Sequence, residues 1–440
     1  MEHPEWYRLD NTANLYPSVI SRRNTTLFRI SVHLHQPVHV DRLTRALQKM
    51  VPRFPYYQVH LRKGAFWYTL EENPRIPLPV IDSKSPCRYM PIKQRGVLPF
   101  RVRVFSRTMA VEFSHAITDG TGALIFTKSL LAAYHLVDLA PDSSEYKALY
   151  KEYSEDPEIF LFDQPPKEEE FKDAFLTYFD PTIPTPDQEK KVFHLPGRKL
   201  PIDQYRVITG DMPLKEVLSL AKSHNASLTE FLTAVYFDAL QQIQEIVKAD
   251  KVRGRWNPVS VMVPVNLRNI LHSRSMRNFF LILNPLLDTR LGHYDLDEII
   301  HKVHHFMQTQ LDHRHLKQQI SRNVKGVVNP LLRVSPLLLK NIGLKLIYRD
   351  FGESRFSGSL SNLGMAVLPP SLENIVKTLE FVPPPSTVLG VKCGALSYRG
   401  HLRLTFGSLL EETALERLVF SKLRSYGIPI QISGNWKGEE

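Results

Sequence analysis

The sequence predicts a mixed α/β fold, α+β in its arrangement, with two similar halves that each contain a mixed β-sheet. Two observations predict this class. First, short runs that alternate apolar and polar residues, typical of half-buried strands, are interspersed with helical patterns along the 440 residues. Second, the order of strand, proline and helix at 27–51 recurs at 205–223, which indicates a duplication. Two such halves leave a cleft between them, where ligand sites tend to form.

The composition is ordinary for a globular protein, with 43% hydrophobic and 23% charged residues. No apolar run reaches the roughly 18 to 20 residues of a membrane-spanning helix, so we expect no transmembrane segment. The first residues lack the basic start and apolar core of a secretory signal. The two cysteines, Cys87 and Cys393, are too few for a disulfide framework, and neither has a nearby partner for zinc. These features predict a cytoplasmic protein.

The net charge of +11 is unevenly distributed. Residues 138–190 contain 15 carboxylates and 5 lysines, so the rest of the chain carries +21. A basic body can attract nucleic acid, anionic lipid or a phosphorylated cofactor such as coenzyme A. No helix-turn-helix, zinc-finger, RNP or KH pattern is present, and the lysines and arginines are scattered. We therefore expect no nucleic-acid binding. The basic charge is better explained by attraction of an anionic small molecule or an acidic carrier protein.

The first half begins with a loop and continues with alternating strands and two amphipathic helices. The loop covers 14–21, the strands cover 27–34, 58–61, 66–70, 78–81, 101–105 and 109–113, and the helices cover 40–51 and 122–134. Residues 138–200 are rich in proline and acid and predict a surface connector with short helices at 145–153 and 168–178. We place the domain boundary inside it, which gives an N-terminal domain at 1–185 and a C-terminal domain at 186–440.

The chain is organised around the six residues His115-Ala-Ile-Thr-Asp119-Gly120, where a predicted strand ends and a helix follows. Histidine titrates near physiological pH, so His115 is a natural general base. Gly120 can adopt a positive φ or let a ligand approach the backbone. Asp119 would orient His115 in a simple triad, but the tight turn favours an inward carboxylate that needs a cation. The plainer alternative is a turn with a satisfied histidine and a helix-capping aspartate.

The second half predicts a strand at 205–213, a helix at 214–223, and a capping box at Ser227-Leu-Thr-Glu230 before a helix to about 247. A further strand covers 259–268 and a helix covers 298–319. His301 and His305 on this helix have the spacing of metal ligands. No third ligand is fixed beside them by the pattern, so we predict a solvated helix and no metal site.

The hexapeptide resembles the HxxxDG signature of the chloramphenicol-acetyltransferase-like superfamily, which includes condensation domains of peptide synthetases and alcohol O-acetyltransferases. The strand ending Met-Val-Pro-Val-Asn-Leu-Arg268 resembles another segment of that family, and Ser361-Asn362-Leu-Gly364 resembles its Ser-Asn-x-Gly element. The resemblance extends from residue 27 to residue 432 and fits the bacterial alcohol-acetyltransferase-like branch best. It implies two chloramphenicol-acetyltransferase-like subdomains that form a V with a central tunnel.

The resemblance also implies roles for individual residues. Arg268 would pair with Asp119 and hold the histidine loop, although a surface arginine at a strand end is the plain alternative. Ser361 or Asn362 would line the site or stabilise an oxyanion, although the segment also fits a simple bend in a strand. Two positions depart from the family. Arginine replaces a glycine at Arg277, and Ser114 occupies the place of the first histidine of condensation domains.

The function implied is acyl transfer, with an acetyl or longer fatty acyl group moving from a thioester to an alcohol or amine while His115 acts as the base. No cofactor is expected to be tightly bound, and acyl-CoA or a phosphopantetheine thioester on an acyl carrier protein serves as co-substrate. No GxSxG elbow is present, which disfavours a serine acyl-enzyme. Two alternatives stay open: a carrier-protein-dependent condensation or transesterification enzyme, and a non-catalytic member of the fold that binds a partner or lipid.

Overall fold

A computed structural model of the chain describes residues 6–182, 192–249, 257–328 and 335–435. These residues form two halves, each with its own mixed sheet, so the mixed α/β class predicted from the sequence is confirmed. The predicted domain boundary between residues 185 and 186 lies outside the described residues and stays a prediction. None of the described helices is both long enough and apolar enough to span a bilayer.

Sixteen strands are present in the described residues. They are β1 (Trp6–Arg8), β2 (Leu27–Leu34), β3 (Val59–Lys63), β4 (Tyr68–Glu72), β5 (Val80–Ile81), β6 (Phe100–Phe105), β7 (Thr108–Ser114), β8 (Arg206–Pro213), β9 (Val259–Asn266), β10 (Phe280–Leu283), β11 (Leu286–Leu287), β12 (Gly358–Ala366), β13 (Val376–Val382), β14 (Val391–Tyr398), β15 (His401–Ser408) and β16 (Gln431–Gly434). They form a three-stranded, a five-stranded and an eight-stranded sheet.

The helices of the described residues differ widely in length, from one turn to six. They are α1 (Tyr16–Val19), α2 (Val40–Met50), α3 (Gly120–Leu136), α4 (Ser144–Glu155), α5 (Glu168–Phe171), α6 (Ala174–Thr177), α7 (Leu214–Ser223), α8 (Leu228–Ala249), α9 (Arg268–Leu271), α10 (Leu296–Gln310), α11 (His313–Val328), α12 (Leu337–Phe351), α13 (Pro370–Glu373) and α14 (Ala414–Ser425). Short 3₁₀ turns cover Val51–Arg53, Thr289–Leu291 and Glu353–Arg355.

The five-stranded sheet belongs to the first half but is completed by the second. Its order is β13-β2-β7-β6-β5, and β13 pairs antiparallel with β2. Alternate residues of β2, such as Phe28 and Ile30, are buried in a core that also contains residues of α2 and α3. The other face of β2 carries Arg29 and His33, which line a polar cavity between the halves. The alternation of β2 therefore separates an apolar core from a polar cleft.

The eight-stranded sheet of the second half has the order β10-β9-β12-β14-β15-β8-β16, with β11 paired to β9. Helix α8 packs against β9, α10 and α14 and buries most of one face. Its start is the capping box predicted from the sequence, since Glu230 N donates to Ser227 Oγ at 3.3 Å and Ser227 N donates to Glu230 Oε2 at 2.7 Å. This box fixes the beginning of the longest helix in the second half.

Some predicted elements were wrong in extent, and each difference has a local cause. The predicted loop 14–21 contains α1, which begins beside Pro17, a residue tolerated in the first helical turn. The predicted helices 168–178 and 298–319 are each divided in two. Asp173 accepts from Phe175 N and Asp312 accepts from Arg314 N, so each aspartate ends one periodic stretch and begins a new helix.

Candidate active site

His115 follows the last residue of β7 and lies where the two halves meet. Its backbone N–H donates to Thr26 O at 3.1 Å. The imidazole stacks on Tyr16, with ring centroids 5.3 Å apart, and lies 4.5 Å from the ring of Phe28. Phe280 of the second half approaches the same ring at 6.2 Å. Backbone and aromatic contacts together hold the imidazole in one orientation.

The two ring nitrogens of His115 have different surroundings. Nδ1 is buried and makes no hydrogen bond of normal geometry, and the same is true of Oδ1 of Asn278. The Asn278 side chain is close enough to raise the pKa of His115 by hydrogen bonding, so these two atoms are natural partners. The residue as a whole is partly exposed, and Nε2 is not among the buried polar atoms that lack a partner, so Nε2 is the nitrogen left for a substrate. A proton on Nδ1 directed at Asn278 leaves the Nε2 lone pair free to accept a proton.

Burial and nearby charge keep His115 neutral. Burial is the largest cause and the positive charge of Lys392 the next, and together they lower the pKa of His115 from 6.5 to about 4. The charge of Asp119 and the hydrogen bonds of the ring with the Asn278 side chain and the Thr118 backbone raise the pKa and so act in the opposite direction. A neutral imidazole with an open nitrogen is the form that a general base requires.

A reaction in which His115 acts as the base is expected to stay close to its maximum rate down to about pH 5, because the imidazole stays neutral until the pH approaches its lowered pKa of about 4. Protonation removes the base, so the rate falls as the pH falls through that value. Stability follows the same direction: the contribution of neutral His115 is complete above 6.5 and is lost as the pH falls from 6.5 toward 4. The pH dependence of kcat/KM checks this prediction, and an acidic limb at 6.5 would contradict it.

The carboxylate of Asp119 is fully engaged by the protein. Arg268 Nη1 donates to Oδ2 at 2.8 Å, Phe279 N donates to the same oxygen at 2.8 Å, and Gly122 N donates to Oδ1 at 3.1 Å. Asp119 and Arg268 are only 5% and 6% exposed, so neither is available to a substrate. The carboxylate both caps α3 and binds the buried guanidinium. The helix-capping aspartate and the inward carboxylate with a cation, which the sequence left as alternatives, therefore occur together.

The Arg268 guanidinium extends this contact to the segment that carries Asn278. Its Nε donates to Ser275 O at 2.7 Å, and its Nη2 donates to Arg277 O. Asn278 Nδ2 then donates to His115 O at 2.9 Å and to Asp10 Oδ2 at 2.8 Å. The Asp119–Arg268 pair therefore positions the Asn278 amide beside the histidine.

Two functional neighbours were missed by sequence reasoning. Asp10 is completely buried, and burial raises the pKa of its carboxyl even though Arg277 lies near it. Arg277, the departure from the family glycine, donates to Arg8 O and fills this corner with its side chain. Asp10 precedes every predicted element, so no periodicity signalled it. The sequence showed that arginine replaces the family glycine at 277, but it did not indicate that Arg277 would lie beside Asp10.

A second ionic cluster lies close to the histidine. Lys392 Nζ is 2.5 Å from Glu353 Oε1, and Ser386 Oγ donates to Glu353 Oε2. The charge of Lys392 adds to burial in lowering the pKa of His115. Burial raises the pKa of Tyr16, and the charges of Asp10 and Glu353 raise it further. Tyr16 therefore keeps its proton and stays a hydrogen-bond donor. Lone lysine, glutamate and serine residues spread over 40 positions give no pattern in a sequence.

Gly120 of the motif and Gly122 just after it are required for close packing and not for a positive φ. Gly120 has no positive φ, and a Cβ there would lie 2.4 Å from Leu363 Cδ2. The close approach expected at Gly120 is thus made by a side chain of β12. A Cβ at Gly122 would lie 2.2 Å from Thr118 Oγ1 and 2.8 Å from Met276 O, so this glycine, which sequence reasoning did not single out, is the more restricted of the two.

Ser361 and Asn362 lie within β12, in the strand itself. The strand continues through a bulge between Asn362 and Met365, where Gly364 adopts a φ of 82°. Asn362 Nδ2 donates to Thr229 Oγ1 at 3.0 Å, and its Oδ1 accepts from Gly364 N at 2.9 Å. The bulge also presents Leu363 to the start of α3, so the segment adjoins the histidine loop.

A polar cavity of about 550 Å³ lies between the sheets of the two halves, but His115 is not among its lining residues. Val207 and Val382 line this cavity and also belong to a buried apolar cluster that contains Ala116. The cluster therefore borders both the cavity and the histidine loop. In the described residues no group of three or more metal-binding side chains occurs, and His301 and His305 stack with their ring centroids 6.4 Å apart.

Comparison with solved structures identifies the fold. The chain is similar to TRI101 from F. graminearum complexed with coenzyme A and T-2 mycotoxin, with a TM-score of 0.60, 11% identity, and 97% and 99% of the two chains covered. It is similar to a variant of the starter condensation domain of rhizomide synthetase RzmA in complex with C8-CoA, with a TM-score of 0.57, 12% identity and coverages of 96% and 93%. A wax ester synthase/diacylglycerol acyltransferase from Marinobacter aquaeolei VT8 gives a TM-score of 0.52, 13% identity and coverages of 96% and 100%.

These likenesses extend over nearly the whole of each chain. No family model and no curated protein sequence matches the chain. Structural similarity therefore identifies the architecture, and identities of 11–13% carry the fold and no residue-level assignment.

Proposed function

Because the chain has the two-subdomain fold of the chloramphenicol-acetyltransferase-like and condensation-domain acyltransferases, we propose that it is an acyltransferase with His115 as its general base. The acyl group passes from a thioester such as acyl-CoA to an alcohol or amine. One observation carries this proposal: a neutral imidazole at the junction of the halves has its Nε2 accessible and its Nδ1 beside an amide oxygen. That geometry favours proton abstraction from an acceptor.

The proposed reaction is direct transfer within a ternary complex. Nε2 of His115 takes the proton of the acceptor hydroxyl while the hydroxyl oxygen attacks the thioester carbonyl carbon. The tetrahedral intermediate then expels the thiolate, which receives the proton from the imidazolium as the C–S bond breaks. The lowered pKa of His115 favours this return of the proton, because the imidazolium is a stronger acid than a free one.

The oxyanion of the intermediate needs a hydrogen-bond donor. Ser361 and Asn362 are the candidates that the sequence provides, together with backbone N–H groups. The Asn362 amide already donates to Thr229, whereas the Ser361 hydroxyl makes no hydrogen bond in the described residues. Ser361 is therefore the better candidate of the two.

Asp119 and Arg268 would act as positioning residues and not as catalytic ones, since both are buried and bonded to the protein. Gly120 would let α3 begin directly under Leu363. In this proposal the motif builds a rigid loop, and only the imidazole reaches the reacting atoms.

A carrier-protein donor is the second candidate. The likeness to a condensation domain and the charge of +11 both favour a thioester presented on an acidic carrier. The chemistry at His115 would be the same, because the phosphopantetheine arm ends in the same thioester as coenzyme A.

The test is release of free thiol from a panel of acyl thioesters in the presence of alcohols and amines. We expect acceptor-dependent thiol release with acyl-CoA donors of some chain length. Release only from acyl carrier protein would favour the second candidate. A folded protein without turnover on either kind of donor would contradict the proposal and favour a non-catalytic member of the fold.

A further inference from the structure

An apolar surface outside the candidate site is formed by the tip of the β3–β4 hairpin and the start of α12. Its members are Phe66, Leu338, Leu339 and Ile342, and we call it the hairpin–helix surface. Their exposed fractions are 48%, 69%, 61% and 55%. Single exposed apolar residues are normal on proteins, whereas a group of four on two adjoining segments indicates an interaction site.

Hydrogen bonds make the hairpin and the helix one continuous surface. Leu337 N donates to Ala65 O at 2.8 Å, and Lys340 Nζ donates to Phe66 O at 2.9 Å. The same ammonium lies 3.7 Å from the centroid of the Trp67 ring. These contacts tie the hairpin tip to the first turn of α12, so its aromatic and aliphatic side chains are presented together.

The first turns of α12 bury a lysine and expose apolar side chains, which is the opposite of a helix that packs on a core. Lys340 is 6% exposed on the inner side, while Leu338, Leu339 and Ile342 face solvent. Residues 338 and 342 are four apart and 339 and 342 three apart, so they lie on one helical face. With Leu337 and Lys340 buried, these three exposed residues leave apolar area on the helix for a membrane or another molecule to cover.

The margin of the surface is basic. Lys63 precedes the hairpin tip, and Arg8 of β1 lies beside Thr69 of β4, two positions from Trp67. Both side chains are exposed, and neither forms an ion pair within the described ranges of the chain. Projecting aromatic and aliphatic side chains beside cations are the combination that inserts into anionic lipid.

We propose that the hairpin–helix surface docks the protein on an anionic lipid bilayer. The apolar side chains enter the interface while Lys63 and Arg8 meet lipid phosphates. The net charge of +11 adds a long-range attraction of the right sign. Helix α12 also packs against α1, whose Tyr16 stacks on His115, so one helix connects the hairpin–helix surface to the candidate site. The docking itself does not depend on the proposed reaction.

The test is co-sedimentation of the full chain with phosphatidylcholine vesicles that contain or lack phosphatidylserine. We expect binding to the phosphatidylserine vesicles and a loss of about tenfold or more in partitioning for Leu338→Glu and for Leu339→Glu. Both positions lie in the first turn of α12, where a carboxylate suits the helix dipole, so the fold is expected to survive. Thermal unfolding of both variants checks this.

Ile81→Glu is the matched control, because Ile81 is 78% exposed on β5, away from the hairpin–helix surface. It is expected to bind vesicles like the unchanged protein. Failure of the unchanged protein to bind phosphatidylserine vesicles would overturn the proposal, as would equal binding by Leu338→Glu. A dimer in solution that Leu338→Glu dissociates would also overturn it and assign the surface to a second copy of the chain.

Discussion

Replacement of His115 by alanine is expected to lower kcat for acyl transfer by about 10²- to 10⁴-fold, the range typical of a lost general base. The imidazole is the group with an accessible nitrogen at the junction of the halves, and its lowered pKa of about 4 keeps it neutral. Thiol release measured with saturating acyl thioester and acceptor gives kcat directly. KM for the thioester is expected to change little, since the base acts mainly in the transition state.

The control for this measurement is His305→Ala, a change of the same residue type on the exposed face of α10. It is expected to retain full activity. His115→Ala also removes a ring stacked on Tyr16 and near Phe28, so its unfolding transition must be recorded beside its activity. Equal kcat for His115→Ala and the unchanged protein would remove the base assignment, whereas lost folding would leave His115→Gln as the informative variant.

The positions of the motif residues could be read from the sequence, but the hydrogen bonds around them could not. His115 and Asp119 are four residues apart on one turn, and a strand followed by a helix fixes where they lie. Arg268 is 149 positions away, so only the family resemblance linked it to Asp119. Asp10 and Lys392 stand in segments with no pattern of their own. Tertiary packing alone brings them to the histidine.

The fold shows the same division between local and distant information. Helices α2 and α7 follow from periodicity because one face of each is apolar and buried, whereas α3 is buried on nearly every side. The insertion of β13 into the sheet of the first half has no local signal, since alternation indicates a strand and says nothing about its partner. That insertion joins the halves through a shared sheet as well as through the ionic pair at Asp119.

Asp119→Ala is expected to lower the free energy of unfolding by about 3 to 5 kcal/mol, because it leaves the buried Arg268 guanidinium without its carboxylate. The change also removes the carboxylate oxygens that accept from Phe279 N and, at the start of α3, from Gly122 N. Both buried backbone N–H groups would then lack an acceptor. Denaturant unfolding measures the loss. Asp138→Ala is the matched control, since its pairs with Arg42 and Arg45 are partly exposed and about 0 to 1 kcal/mol is expected there.

A double-mutant cycle with Arg268→Met separates the ionic contact from these backbone effects. If the buried charges stabilise each other, the two single losses sum to about 1 to 3 kcal/mol more than the loss in the Asp119→Ala, Arg268→Met protein, because the double variant buries no unpaired charge. Additive losses would mean that Asp119 acts only as a helix cap and as an acceptor for Phe279. In that case Arg268 would hold the 275–277 segment through its bonds to Ser275 O and Arg277 O, and the histidine loop would depend on Asn278 instead.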